Sequence, residues 1–192
     1  LYRSSNISLF IPEVIESGLG IVPTSSTSIQ LSIGDALAIA AMKNKKFGKL
    51  DFKRFHPAGN LGNKLKTAGD LMLTKQKIPF INQNQIMKKA LKIINLKRLG
   101  FLVVTNNQGL TTGVFTDGDL KRLMQKKNTI GNIKIKSFMT KKPYMVDQNT
   151  LASEVLKLMN KRKITNVCVY NSTNKQKTIG VLHIHTLLNN LR

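Results

Sequence analysis

Few residues in this chain can move protons or hold anions, and their neighbours suggest what each could do. The 192 residues include 3 His and 9 acids, and the only glutamates are Glu13, Glu16 and Glu154. His56 opens the run His56-Pro57-Ala58-Gly59-Asn60-Leu61-Gly62, whose Gly and Asn content reads as a loop entering a short helix. A neutral imidazole there suits acid/base work near pH 7. A lone His is also often structural, and both roles stay open. The hydroxyls of Thr24, Ser25, Ser26 and Thr27 follow Pro23. They can cap the first turn of a following helix or face a substrate, because a helix start attracts phosphate or carboxylate. His183 and His185 supply too few donors for a metal site, and Cys168 reads as a small core residue. Asp35, beside Gly34, reads as a buried polar anchor within a helix rather than a catalytic acid.

The elements that would position these groups follow from periodicity. Ile7, Leu9 and Ile11 alternate with polar neighbours before Pro12, which predicts a short strand. Ile29, Ile33, Leu37, Ala40 and Ala41 fall near one helical face, so a helix should run from the hydroxyl cluster to about Met42 and stop by Gly48. The rest of the chain is an internal repeat. Its first copy has Asp70-Leu71-Met72, a helix around Ile86–Asn95, a strand at 100–104, then Gly113 through Leu120. Its second has Ser137-Phe138-Met139, a helix around Leu151–Asn160, a strand at 166–170, then Gly180 through Leu187. Met72 to Gly113 and Met139 to Gly180 are both 41 residues. Two β-α-β-β-α units are expected, packed face to face because one copy could not bury its own apolar face, with ligand clefts near the Gly-containing turns.

Composition narrows the function classes. Lys plus Arg total 31 against 9 acids, a net charge of +22, which invites a nucleic-acid reading. Yet 25 of these cations are Lys and 6 are Arg, the lysines are scattered, and the chain also holds 18 Asn and 18 Ile. That pattern reads as a coding bias filling solvent positions, so neither nucleic acid nor membrane is expected as a partner. No apolar run is long enough for a membrane-spanning helix, and no signal-peptide order marks the opening. A single Cys excludes a disulfide framework. A cytoplasmic chain without cofactor or metal is expected.

The repeat resembles a tandem pair of CBS domains, the Bateman module. In that family a Gly follows the middle strand, and a Ser/Thr precedes an Asp that starts the last helix. Gly113, Thr116 and Asp119 match in the first copy. The resemblance implies a nucleotide or nucleotide-sugar regulator, with the Asp accepting ribose hydroxyls and the Thr and helix end facing phosphate. In the second copy His183 and Thr186 stand at the Ser/Thr and Asp positions, so a second clamp is not expected.

The front of the chain resembles the D-arabinose 5-phosphate isomerase family, in which a sugar-isomerase (SIS) domain precedes two CBS domains. The matching runs are Leu19-Gly20-Ile21-Val22-Pro23-Thr24-Ser25-Ser26-Thr27, Gly34-Asp35-Ala36-Leu37-Ala38 and His56 through Gly62, and the first CBS copy's Gly113 through Arg122 also fits. The resemblance implies an α/β chain: the C-terminal part of a doubly wound SIS domain at 1–66, then CBS units at 69–127 and 134–192. About 130 residues of a typical domain, with its phosphate loop, would lie ahead of Leu1. The implied reaction interconverts D-ribulose 5-phosphate and D-arabinose 5-phosphate through an enediol, for Kdo and lipopolysaccharide synthesis, in a homotetramer. Glu16 is the implied base, with one residue fewer than the family between it and Leu19. His56 is the implied ring-opening or proton-transfer residue, and Thr24, Ser25 and Ser26 are the implied substrate contacts. Ala58 stands where the family has Gly, which would strain a turn needing positive φ. The rival reading is a non-catalytic nucleotide sensor carrying an inactive SIS remnant.

Overall fold

The computed structural model describes residues 6–127 and 129–191. The side chains of Asn60 and Leu61 in the His56–Gly62 run lie outside that description. The chain divides into two compact units, Leu1–Phe52 and Lys53–Arg192.

The first unit is dominated by α1 (Ser25–Asn44), and α2 (Lys49–Phe55) begins in it. Lys46, at φ 52°, ends α1. The Gly48 amide donates to Asp51 at 2.8 Å, and Phe47 and Phe52 meet edge to face at 6.5 Å. The expected strand at 7–11 does not form, because an alternating segment without a pairing neighbour cannot satisfy its backbone groups as a strand. None of the described residues from 6 to 52 is buried, and Leu31, Leu37 and Ile39 of α1 are exposed. Of the face expected on this helix, Ile29 and Ile33 are half-buried and Leu37 is exposed, so none of it is fully covered.

In the second unit α3 (Gly59–Lys64) and α4 (Ala68–Leu71) lead into the repeat. The first copy contributes β1 (Leu73–Thr74), β2 (Phe80–Asn82), α5 (Met87–Lys97), β3 (Phe101–Thr105), β4 (Thr111–Thr116) and α6 (Asp117–Lys126). The second contributes β5 (Thr140–Lys141), β6 (Met145–Asp147), α7 (Ala152–Arg162), β7 (Asn166–Tyr170), β8 (Gly180–His183) and α8 (Ile184–Asn190). The expected β-α-β-β-α order is thus present twice, each time with one further short strand, β1 or β5, ahead of it. Each long helix buries one stripe at i, i+3, i+7: Met87, Ala90 and Ile94 on α5, and Ala152, Val155 and Met159 on α7.

The sheets do not follow the copies. One has the order β2-β3-β4-β5 and the other β1-β8-β7-β6, so each copy gives its first short strand to the other's sheet. Gly113 lies opposite Lys141, and Gly180 opposite Thr74. The lead-in segments cross too: the Gly69 amide donates to the Gln148 carbonyl and the Met87 amide to the Ile133 carbonyl, both at 2.8 Å.

Glycines make this crossing possible. A Cβ on Gly113 would lie 2.7 Å from the Thr140 carbonyl oxygen and 2.8 Å from Met139 Sδ. On Gly180 it would lie 2.2 Å from Met72 Sδ and 2.9 Å from Met72 Cβ. The 41-residue spacing of the repeat therefore encodes a reciprocal contact, each copy's Met resting on the other copy's Gly. Between the sheets Ile78, Phe101, Val103, Cys168 and Val181 form a layer shared by both copies. At about 2 kcal/mol per large buried side chain, losing that layer would remove an amount comparable to a domain's net stability of about 5–15 kcal/mol.

Adding a methyl group tests the crossing. Gly113→Ala should lose about 1–3 kcal/mol and several degrees of Tm. Met139→Ala should restore little of this, because the Thr140 carbonyl stays in place. Met72→Ala should restore more of what Gly180→Ala loses, because it removes the two nearest atoms there, Sδ and Cγ, and leaves only Cβ, at 2.9 Å. Urea unfolding of the four variants and two pairs measures this, and equal recovery in both pairs would sink the assignment.

Candidate functional site

Within the second unit a cleft of about 540 Å³ opens between the two copies. The first copy supplies the end of β4 and the start of α6. Thr116 and Asp119 form a reciprocal capping box there: the Asp119 amide donates to Thr116 Oγ1 at 3.2 Å, and the Thr116 amide and hydroxyl each donate to Asp119 Oδ2 at 2.9 Å. Asp119 is 8% exposed. Its second oxygen, Oδ1, accepts from the Thr140 hydroxyl at 3.3 Å and from the guanidinium of Arg122.

The second copy supplies the opposite wall: Lys142, Pro143, Tyr144, Lys163, Asn166 and His183. Thr140 and Lys142 arrive there because β5 has crossed into the first copy's sheet. Arg162 stacks over the Tyr144 ring at 5.1 Å, which steadies that wall. The result is a concave site with one buried carboxylate, three cations and apolar floor residues including Phe101 and Val114. That combination suits a ligand carrying hydroxyls, a flat apolar part and negative charge.

Thr116 and Asp119 thus stand where the sequence expected them. Gly113 does not line the cleft; it lies under Met139, and its missing side chain admits the crossing strand. Sequence reasoning did not single out Arg122, Lys142, Tyr144 or Lys163. The signal that could have found them is the pseudo-twofold relation of the copies, which sets the end of one copy's strand against the start of the other's. A second cavity of about 410 Å³, bounded by Met72 through Lys77, contains no acid.

The second copy replaces the capping hydroxyl with an imidazole. His183 Nδ1 accepts from the His185 amide at 3.2 Å at the start of α8, as Thr116 does on α6. Burial, with the His185 ring 5.0 Å away, lowers the His183 pKa from its ordinary value, so the imidazole is neutral at pH 7. No cluster of three or more metal-ligating side chains occurs among the described residues. Burial raises the Cys168 thiol to about 12, against a hydrogen bond with Thr178, which leaves it unreactive.

The front candidates fall in separate units. Glu16, Thr24 and Ser26 come together in the first. Glu16 Oε2 accepts from the Thr24 amide at 2.7 Å, the Thr24 hydroxyl at 3.0 Å and the Ser26 amide at 3.4 Å. The N-terminus of α1 is therefore capped by a carboxylate eight residues upstream, and not by the hydroxyls expected to do it: Thr24 makes no side-chain cap bond. Ser25 opens α1 beside them, half-buried. Hydrogen bonds from the Ser26 side chain and the Thr24 backbone lead in holding the Glu16 carboxyl down at about 2.

His56 lies in the second unit, exposed, at the end of α2. Its amide donates to the Lys53 carbonyl at 3.2 Å. A Cβ on Gly62 would meet the His56 and Pro57 carbonyl oxygens at 2.9 Å, so Gly62 lets α3 close onto the His-Pro turn. Ala58 is extended, at φ −130°. The positive φ falls on Gly59, at +74°, and the expected strain is absent.

Comparison with known proteins fits this geometry. The family model described as CBS domain matches residues 68–126 and 135–192. The chain is 39% identical over 171 residues to arabinose 5-phosphate isomerase KdsD of Salmonella typhi, covering 88% of this chain and 51% of that protein. It is 37% identical over 188 residues to KdsD of Escherichia coli K12, covering 97% and 56%. The chain spans about half the length of the curated relatives it matches, and the similarity to these isomerases runs ahead of the repeat. Among solved structures, CBSX2 of Arabidopsis thaliana in complex with AMP has a TM-score of 0.55 at 24% identity, over 64% of this chain and 93% of that one. That likeness is one of fold. With both copies of the repeat matched and the crossed sheets built as described, the chain belongs to the CBS-domain family.

Proposed function

We propose that the cleft around Thr116 and Asp119 binds a nucleotide or nucleotide sugar, and that the chain acts as the regulatory part of a cytoplasmic aldose–ketose isomerase. The observation that carries this reading is the buried Asp119 carboxylate facing Lys142 and Lys163 across a nucleotide-sized cleft. A carboxylate accepts a ribose diol, the first turn of α6 faces phosphate, and the lysines supply countercharge. The AMP held by CBSX2, which shares the fold, supports an adenine nucleotide as the first probe.

The catalytic side of the reading concerns the front residues. Interconverting D-ribulose 5-phosphate and D-arabinose 5-phosphate moves a proton between C1 and C2, which needs a base of moderate pKa. Capped as it is, Glu16 is too weak a base. A substrate phosphate that drew Thr24, Ser25 and Ser26 to itself would free the carboxylate and raise its pKa. The same residues would then bind substrate and switch on the base, with His56 as the acid/base for ring opening. Identity to the isomerases over 97% of the chain supports this side. A nucleotide sensor without catalysis is the second reading, supported by the match of the CBS-domain model to the repeat.

Three measurements decide among these. Calorimetric titration with AMP should show at least about tenfold weaker binding by Asp119→Ala; unchanged affinity in a variant of native helicity refutes the ribose contact. Carboxyl NMR should show Glu16 titrating near 2. Its folded pKa lies below the ordinary 4.5, so its contribution to the α1 cap is complete above pH 4.5 and is lost as pH falls towards 2; a midpoint near 4.5 removes the cap assignment. Finally, the chain is incubated with D-ribulose 5-phosphate. Because the chain spans about half the length of those isomerases, no arabinose 5-phosphate is expected from it alone, and formation that disappears in His56→Gln would overturn its assignment as the regulatory part.

A further inference from the structure

The hydrogen bonds of Asp119 leave no room for the diol it is proposed to accept. A carboxylate offers about four acceptor positions. Two, on Oδ2, are taken by the amide and hydroxyl of Thr116, and two, on Oδ1, by Thr140 and Arg122. Ribose can bind only if a donor leaves. The Thr116 pair caps α6, and Thr140 is held in β5, so both are fixed by the fold. Arg122 is different: its side chain is 65% exposed while Asp119 is 8% exposed, so its guanidinium can let go of the buried carboxylate and turn to water.

The displaced guanidinium also has somewhere to go. One of its nitrogens lies 3.6 Å from where a Cβ on Gly118 would stand, so it already lies along the first turn of α6, where the phosphate of a bound nucleotide is placed by the reading above. A ligand with a phosphate offers Arg122 a new partner when it takes the old one. A ligand with only a ribose takes the carboxylate and leaves the cation with nothing but water.

We propose that Arg122 is the residue by which the cleft distinguishes nucleotides from nucleosides, guarding Asp119 when the cleft is empty and moving to the phosphate when it is filled. This rests on the nucleotide reading of the cleft. Arg122 imposes the same displacement cost on both ligand classes and returns it only to the phosphorylated one. Specificity then comes from a residue that opposes binding of the wrong ligand as much as it favours the right one.

The test is calorimetric titration of the full chain with AMP and with adenosine, for the unaltered protein, Arg122→Ala and Arg122→Lys. The unaltered chain should favour AMP by about tenfold or more. Arg122→Ala removes the displacement cost and the phosphate contact together, so adenosine should bind about tenfold more tightly than before while AMP changes less, and the preference falls towards unity. Arg122→Lys should keep a reduced preference, because an ammonium meets phosphate as a point charge. An AMP-to-adenosine ratio in Arg122→Ala equal to that of the unaltered chain overturns the proposal. Failure of the unaltered chain to bind either compound sinks the nucleotide reading itself, and the role of Arg122 with it. Arg122 is exposed, and a thermal melt matching the unaltered chain checks that either variant is folded.

Discussion

Two glycines that tolerate another segment lying almost on top of them, a backbone carbonyl at Gly113 and a methionine side chain at Gly180, hold the arrangement together. Gly113 and Gly180 occupy equivalent places in β4 and β8, and the strand that crosses each one arrives from the other copy. A side chain at either site would meet the crossing segment at well under van der Waals distance. Because they are bare, both sheets reach four strands. Met72 and Met139 seal the contacts, and the shared layer around Phe101 and Val181 closes between the sheets. The copies are thus joined through their backbones as well as through an apolar face.

The cleft is a by-product of that crossing. Thr140 touches Asp119, and Lys142 and Tyr144 form the far wall, only because β5 leaves its own copy. A ligand there would press on a segment that belongs to one copy in sequence and to the other in space, which is a physical route for reporting its presence. Among the described residues, the cations lining this cleft are Arg122, Lys142 and Lys163. The net charge of +22 is therefore mostly a property of the surface, with a small, well-placed share in the site.

Much of this was legible in the sequence because it rested on periodicity. α1, α5 and α7 appear close to where apolar spacing set them, and the equal Met-to-Gly intervals announced two copies. The partner of each Met was not legible, since a repeat fixes what resembles what and not what touches what. The carboxylate cap of α1 was not legible for a similar reason: a hydroxyl run beside a helix start is a local signal for capping or substrate contact, and Glu16 supplies the cap from eight residues away with a full charge and an amide-facing geometry. At 7–11 the alternation was present but the neighbouring strand was not. Thr116 and Asp119 could be placed because their geometry is local, three residues apart on one capping box, whereas the cations opposite depend on contacts between distant parts of the chain.

The crossed strands also set an order of events during synthesis. β1 must wait for β8, its partner more than a hundred residues later, and β4 must wait for β5. At about 5–20 residues per second, β1 waits roughly 5–20 s for β8, and β4 waits about 1–5 s for β5. Through that interval the β4 edge beside Gly113 is open to whatever strand arrives, β5 of a neighbouring chain included. The feature that ties the finished protein together is thus the one that leaves its nascent chain most in need of chaperones and of distance from its own copies.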